Sequence, residues 1–162
     1  MPSRRIFLLS SVGAVALAAF RSPPAWSAEE PFEVTHTDAE WKAMLTDEQY
    51  QILRHEDTER PFTSTLNTEK RKGTFHCAGC ELPLYSSETK YDSGTGWPSF
   101  WEAMPNAVGL REDTTFGMVR TECHCRRCGG HLGHVFDDGP PPTGKRHCIN
   151  GLSMTFAAGT SS

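Results

Sequence analysis

Two Cys-x-x-Cys units, Cys77/Cys80 and Cys125/Cys128, stand forty-four residues apart, and two more cysteines, Cys123 and Cys148, lie outside them. A Cys-x-x-Cys pair turns two thiolates toward one ion, and two such pairs supply the four sulfurs of a closed tetrahedral zinc site. Such a site ties together two stretches of chain that periodicity alone could not pair, and it holds structure without doing chemistry. Gly79 inside the first unit and Gly129-Gly130 after the second give the backbone freedom that a turn around a metal asks for. Two redox dithiols, or two disulfides, are the competing readings. Redox dithiols come singly beside a βαβ pattern that this sequence does not show, and a disulfide across each pair closes a loop too small to stabilise much. Cys123 could also replace Cys125, giving Cys-x₄-Cys, but Cys125 repeats the spacing of the first unit. The expected cofactor is therefore structural Zn²⁺ on Cys77, Cys80, Cys125 and Cys128.

The amino terminus sets the compartment. Arg4-Arg5 precedes an apolar run to Phe20, followed by Arg21, two prolines and Ala25-Trp26-Ser27-Ala28. That order reads as a twin-arginine-type export signal over residues 1–28, leaving residues 29–162 as a single domain. An uncleaved amino-terminal anchor is the other reading. The run is too short and too rich in Ala, Gly and Ser to span a bilayer, and no later stretch is apolar enough, so the mature protein should not be membrane-embedded. The expected location is the bacterial periplasm, with zinc loaded before export of the folded chain. Loss of residues 1–28 removes Arg4, Arg5 and Arg21 from the sixteen Lys/Arg and none of the twenty Asp/Glu, shifting the formal charge from −4 to −7. An acidic domain of this kind is a poor nucleic-acid binder.

Thr37-Asp38-Ala39-Glu40 and Thr46-Asp47-Glu48-Gln49 each match a helix capping box, with Trp41, Leu45, Tyr50 and Leu53 at helical spacing behind them. Two short helices should open the domain. From Gly73 onward the texture changes to short β-branched and aromatic runs: Thr74–His76, Leu82–Tyr85, Thr114–Thr121, His134–Phe136 and Leu152–Phe156. Turn residues separate them, which predicts a mostly antiparallel sheet structure. The segment Gly139-Pro140-Pro141-Pro142-Thr143-Gly144 reads as a rigid loop between strands.

Of the two remaining thiols, Cys148 is the better nucleophile candidate. It sits in Lys145-Arg146-His147-Cys148-Ile149-Asn150, where positive neighbours favour the reactive thiolate, although a buried inert thiol would read the same way. His131 and His134, three residues apart, can be metal ligands, proton donors or hydrogen-bonded core groups. With four sulfurs already on the metal, the choice narrows to proton donor or structural group.

Several separated segments then carry a resemblance in the right order: Glu59–Thr63, Asp92–Phe100, Gly117–Glu122, His131–Pro140 and Arg146–Asn150. Together they resemble the B-type methionine-R-sulfoxide reductases, from about Trp41 to Phe156, and the two Cys-x-x-Cys units resemble the zinc-containing subgroup. The resemblance implies a mainly β fold of two antiparallel sheets with short amino-terminal helices and a Cys₄ zinc site distant from the catalytic centre. It also implies an oxidative-damage repair enzyme acting on methionine-R-sulfoxide, protein-bound or free. In that reading Cys148 attacks the sulfoxide sulfur and becomes a sulfenic acid, and His134 is the acid. His131 and Asn150 position the oxygen, Trp97 packs the substrate methyl group, and Arg146 lowers the thiol pKa.

One position departs from the pattern. Thr95 stands between Gly94 and Gly96, where many members of the resembled family carry a resolving cysteine. Three routes stay open: Cys123 resolves the sulfenic acid, an external thiol attacks Cys148 directly, or Cys123 is buried and idle. A thioredoxin-like or other exported thiol donor is the expected partner, and a monomer the expected state. Two other classes compete: a zinc-bound interaction module without catalysis, and a disulfide-exchange protein using Cys123 and Cys148.

Overall fold

The computed structural model describes residues 31–159; the export signal read at residues 1–28 lies outside them. Helices α1 (Asp38–Met44) and α2 (Asp47–His55) begin where the sequence placed them. Both capping boxes form, Thr37 with Glu40 and Thr46 with Gln49, each side chain satisfying the other's exposed backbone N–H. Trp41, Leu45, Tyr50 and Leu53 are buried, so the helical apolar stripe packs inward as its spacing requires. No helix among the described residues is long and apolar enough to cross a membrane.

The chain then lays down β1 (Gly73–Cys77), β2 (Pro83–Ser86), β3 (Lys90–Tyr91), β4 (Ser99–Phe100), β5 (Val108–Asp113), β6 (Arg120–Cys125), β7 (His131–Phe136), β8 (Arg146–Ile149) and β9 (Met154–Ala158). They form two antiparallel sheets, β2-β1-β9 and β3-β4-β8-β7-β6-β5, as expected for a mainly β fold of this kind. The Pro-rich segment is the loop between β7 and β8, closed by the Gly139 N–H on the Gly144 carbonyl at 2.9 Å. Aromatic rings join the sheets. Phe100 of β4 stacks on Tyr85 of β2 with centroids 4.3 Å apart and meets Phe75 of β1 edge-on at 5.0 Å, all three wholly buried.

Two predicted runs are cut differently. The stretch predicted as one strand over Thr114–Thr121 is a turn through Thr115–Gly117 followed by β6, because Gly117 adopts φ 70° and ends any extended run. Its partner β5 was not predicted, since its burial alternates weakly and Leu110, Arg111 and Glu112 are exposed at the sheet edge. Leu152 and Ser153 belong to a single 3₁₀ turn before β9.

Candidate active site

The four sulfurs of Cys77, Cys80, Cys125 and Cys128 lie within 4.8 Å of one another. Both knuckles close by the same backbone pattern. Glu81 N–H reaches the Cys77 carbonyl at 2.9 Å and Gly129 N–H the Cys125 carbonyl at 2.8 Å, with Glu81 at φ 60° and Gly129 at φ 68°. The Cys77 and Cys125 N–H groups then bond the Leu82 and Gly130 carbonyls. Arg54 of α2 donates to the Cys128 carbonyl at 3.1 Å and Arg127 to the Cys80 carbonyl at 3.3 Å, so the loops are anchored from outside as well. Sulfur separations of 3.7 Å (Cys77–Cys128) and 3.5 Å (Cys80–Cys125) sit close to the ~3.8 Å edge of a tetrahedron with ~2.3 Å metal–sulfur bonds. The cluster can hold a metal.

A second centre forms on the six-stranded sheet. Register aligns Ser99 (β4), Cys148 (β8), His134 (β7) and Glu122 (β6) in one row across four strands, so their side chains share a face. In a regular strand His131 would point the other way from His134, being three residues distant. Instead β7 carries one extra residue: Cys123 pairs with Gly133 but His124 pairs with His131. The bulge returns His131 to the same face, where its ring lies 5.5 Å from that of His134. Gly133 has to be glycine, since a Cβ there would sit 2.1 Å from the Cys148 carbonyl oxygen.

Cys148, His134, Trp97 and Asn150 line a cavity of about 140 Å³ together with Thr58, Arg120 and neighbours. A larger hollow of about 380 Å³ beside Asp47, Gln51 and Arg60 contains no nucleophile. His131 and Arg146 do not line the smaller cavity. His131 stands behind His134, with its Nδ1 2.7 Å from Glu122 Oε1 and both groups buried. Arg146 forks onto Asp138 at 2.8 and 2.9 Å and lies over the Phe136 ring.

The charges around Cys148 differ from what its neighbours in sequence suggest. Successive strand residues face opposite sides. His147 therefore points into the core, bonds the Tyr85 hydroxyl at 3.1 Å, and is pushed down to about 4 by burial, so it carries no charge at neutral pH. Lys145 is paired with Asp137. Only Arg146 of the three lends its charge, and burial outweighs it together with the Thr95 hydroxyl, so the Cys148 thiol lies above its ordinary value. His134 lies below its ordinary value: burial dominates, opposed by its 2.7 Å contact with Asp113. Asp113 is held well below the usual carboxylate range by the Thr115 hydroxyl and N–H, then by His134. Burial pushes Glu122 up, yet the His131 and Arg111 donors outweigh it and the net direction is down.

One buried residue fixes the cavity walls. Trp97 Nε1 donates to the Glu59 carbonyl at 2.9 Å, the Glu59 N–H to Asn150 Oδ1 at 3.0 Å, and Leu152 N–H to Glu59 Oε2 at 2.8 Å. Asn150 in turn donates to the Leu132 carbonyl of β7 at 3.1 Å. Trp97 is thereby coupled to the strand carrying the histidines.

Residues 45–158, which carry both centres, match the SelR domain family. The chain belongs to the SelR family. It is 57% identical over 125 residues to the peptide methionine sulfoxide reductase MsrB of Agrobacterium fabrum, covering 76% of this chain and 93% of that protein. It is 57% identical over 132 residues to the protein of the same name from Thiobacillus denitrificans, covering 80% and 96%. The MsrB of Methanosarcina barkeri is 54% identical over 124 residues, covering 76% and 87%.

In this SelR domain the two spare thiols are kept apart. Cys123 pairs across to Gly133, which pairs with Ile149, so it belongs to the row next to that of Cys148 and faces the core. Its sulfur lies 3.5 Å from the same Tyr85 hydroxyl that bonds His147. It is wholly buried, and burial pushes it up to about 12. The structure does not bring Cys123 to Cys148. Thr95 does reach Cys148, at 3.8 Å between Oγ1 and Sγ. Residue-by-residue reading missed Glu59, Asp113, Arg120 and Glu122; Glu59, Arg120 and Glu122 lay inside segments that carried the family resemblance, but with no role attached.

These placements predict the order of thiol labelling. Brief iodoacetamide treatment of the native full chain, followed by peptide mapping, should modify Cys148 and leave Cys123 untouched. Equal labelling of both would contradict the sheet register.

Proposed function

We propose that this SelR chain reduces methionine-R-sulfoxide to methionine, with Cys148 as the nucleophile. The observation that carries the reading is the convergence of Cys148, His134 and Trp97 on one small cavity, in a chain more than half identical to proteins named peptide methionine sulfoxide reductase. The Cys148 thiolate attacks the sulfoxide sulfur while His134 protonates the sulfoxide oxygen; as the sulfur–oxygen bond breaks, the hydroxyl passes to the Cys148 sulfur and the new sulfur–sulfur bond opens, so that methionine leaves and Cys148 remains as a sulfenic acid. Asp113 fixes His134 Nε2, so the other ring nitrogen carries the proton to the substrate. Trp97 packs the methyl group and selects the hand of the sulfoxide by shape. Asn150 holds the Glu59 segment against β7, His131 with Glu122 backs His134, and Arg146 lends charge to the thiolate. An external thioredoxin-like or other thiol then attacks the sulfenic acid, releasing water, and a second thiol frees Cys148. The opposite facing of Cys123 supports this route over internal resolution, and disfavours a disulfide-exchange protein built on Cys123 and Cys148. An interaction module without catalysis would leave the converged groups without a task.

We further infer that the metal is zinc, which four thiolates at tetrahedral spacing suit and which has no redox chemistry of its own. Residues 1–28 are read as an export signal that delivers the chain to the periplasm. Intact-mass and metal analysis of the exported protein tests both: one zinc per chain and a chain starting near residue 29 are expected. Iron, or a retained amino terminus, would reject the respective reading.

Single-turnover reaction of the full chain with separated diastereomers, without reductant, should convert the R form alone and consume one thiol. Cys148→Ser should convert neither. Conversion of the S form, or of none by folded protein, sinks the reductase reading, and loss of two thiols sinks the external-donor route.

The resting site is a neutral thiol beside a neutral imidazole, whereas reaction needs thiolate and imidazolium. The reactive form therefore holds a constant small share between the two pKa values. It declines below that of His134, which lies under 6.5, and above that of Cys148, which lies over 9.0. The kcat/KM profile should be a broad plateau falling on both sides. His134→Asn should lose the alkaline decline, move the acid limb up to the Cys148 pKa so that the rate climbs across the neutral range, and be slower by roughly 10²–10⁴-fold at pH 7. An unchanged alkaline limb would remove His134 from the acid role.

A further inference from the structure

The loop from Asp92 to Trp97 holds hydroxyl groups that the reaction as described does not use. Gly94 at φ 72° and Gly96 at φ 96°, with the Gly94 N–H on Asp92 Oδ1 at 2.9 Å, fold this loop over the nucleophile. A Cβ on Gly96 would stand 2.8 Å from Pro61 Cβ, so the fold of the loop is fixed from outside too. The turn brings Thr95 Oγ1 to 3.8 Å from Cys148 Sγ and 2.8 Å from Ser93 Oγ. Ser93 Oγ lies 2.7 Å from Ser99 Oγ, and the Ser99 hydroxyl donates to the Trp97 carbonyl at 3.1 Å. Ser99 is wholly buried and stands opposite Cys148 across the β4·β8 pair.

Proton counting gives this line a direction. Each hydroxyl has one proton to donate. That of Ser99 is committed to a carbonyl, which can only accept, so Ser99 accepts from Ser93. Ser93 then accepts from Thr95, and Thr95 accepts from the Cys148 S–H. With a neutral thiol, every bond points away from the sulfur. Once the thiol ionises, the bond at the sulfur survives only if Thr95 turns its proton toward it. Ser93 then donates to Thr95 and Ser99 to Ser93, releasing the Trp97 carbonyl. Three hydroxyl rotations convert the chain from acceptor to donor, and its linked dipoles strengthen one another.

We propose that Thr95, at the head of the Ser99–Ser93–Thr95 chain, is a further catalytic residue that donates to the Cys148 thiolate and sets how much nucleophile exists at neutral pH. The proposal rests on Cys148 being the nucleophile of the reductase reading. Other groups face the sulfur as well: Arg146 and Asp138 from β8 and its preceding loop, Tyr91 from β3, and His134 and Arg120 across the cavity. Among the influences that oppose burial and favour the thiolate are the hydrogen bond of the Thr95 hydroxyl and both the charge and a hydrogen bond of Arg146.

The test is the pH dependence of iodoacetamide alkylation at Cys148 in the full chain, read by peptide mapping. Thr95→Val keeps the shape and removes the donor. It should slow alkylation about tenfold or more at pH 7, as loss of a hydrogen bond to a charged acceptor implies, while leaving the rate at the high-pH plateau unchanged. Thr95→Ser should behave as the parent chain, and Ser93→Ala, which does not touch the sulfur, should also slow alkylation at pH 7. A parental profile for Thr95→Val overturns the proposal. Equal slowing by Thr95→Ser also overturns it, since packing of the methyl group would then be the cause. No sulfoxide enters this assay, so its failure and a failure of the reductase reading are told apart.

Discussion

Convergence of four sulfurs at one point is the constraint on which the other contacts depend. Cys77 ends β1 in the three-stranded sheet and Cys125 ends β6 in the six-stranded sheet, and each is followed by a knuckle of the same hydrogen-bond pattern. A bound ion would therefore pin one sheet to the other at this end, while Phe75, Tyr85 and Phe100 join them through the core. Structural zinc contributes about 10–16 kcal/mol in small domains, as much as the whole net stability of a typical fold. Strand β6 runs from that anchor back to Glu122 and Arg120. A bound metal would thus bear on the second centre through the strand that backs His131 and His134.

The placement of His131 beside His134 depends in turn on a single extra residue in β7. Without the bulge in β7, His131 would face the core and Glu122 would lose its buried donor. Gly133 stands beside the bulge, where the Cys148 carbonyl leaves no room for a side chain. A His-x-x-His spacing, usually a helical signature, here marks an irregular strand, and the irregularity is what sets the His131 ring behind that of His134 on one face.

Much of this was legible in the sequence, and the gaps have physical causes. The capping boxes gave both helices, and the cysteine spacing gave the four-sulfur cluster, because each signal is local and stereochemically narrow. Cys148 stood out through its basic neighbours, yet the structure disposes of two of them: His147 turns inward and neutral, and Lys145 pairs with Asp137. Strand alternation decides which neighbours count, and the strand β8 was not predicted. Strand β5 escaped because an exposed edge does not alternate. Glu59 could not be found as the holder of Trp97 and Asn150, since two of its three bonds use its backbone, which carries no sequence signal.

The separation of Cys123 from Cys148 also orders the reaction. Cys123 lies against Tyr85 on the core face, whereas Cys148, one row along, lies on the opposite face, so no rotation of side chains joins them. A sulfenic acid on Cys148 is then approachable only through the cavity that admits the sulfoxide. The sulfoxide and the incoming thiol would therefore reach the sulfur through the same cavity, lined by Trp97, His134 and Asn150. A sulfenic acid forms only as methionine is released, so in the proposed reaction the thiol acts after the sulfoxide has reacted. The neutral resting thiol fits the same order: a sulfur held above its ordinary pKa by burial is slow to react with stray oxidants, and it becomes a nucleophile where the hydroxyl of Thr95, the charge of Arg146 and the proton of His134 meet one bound sulfoxide.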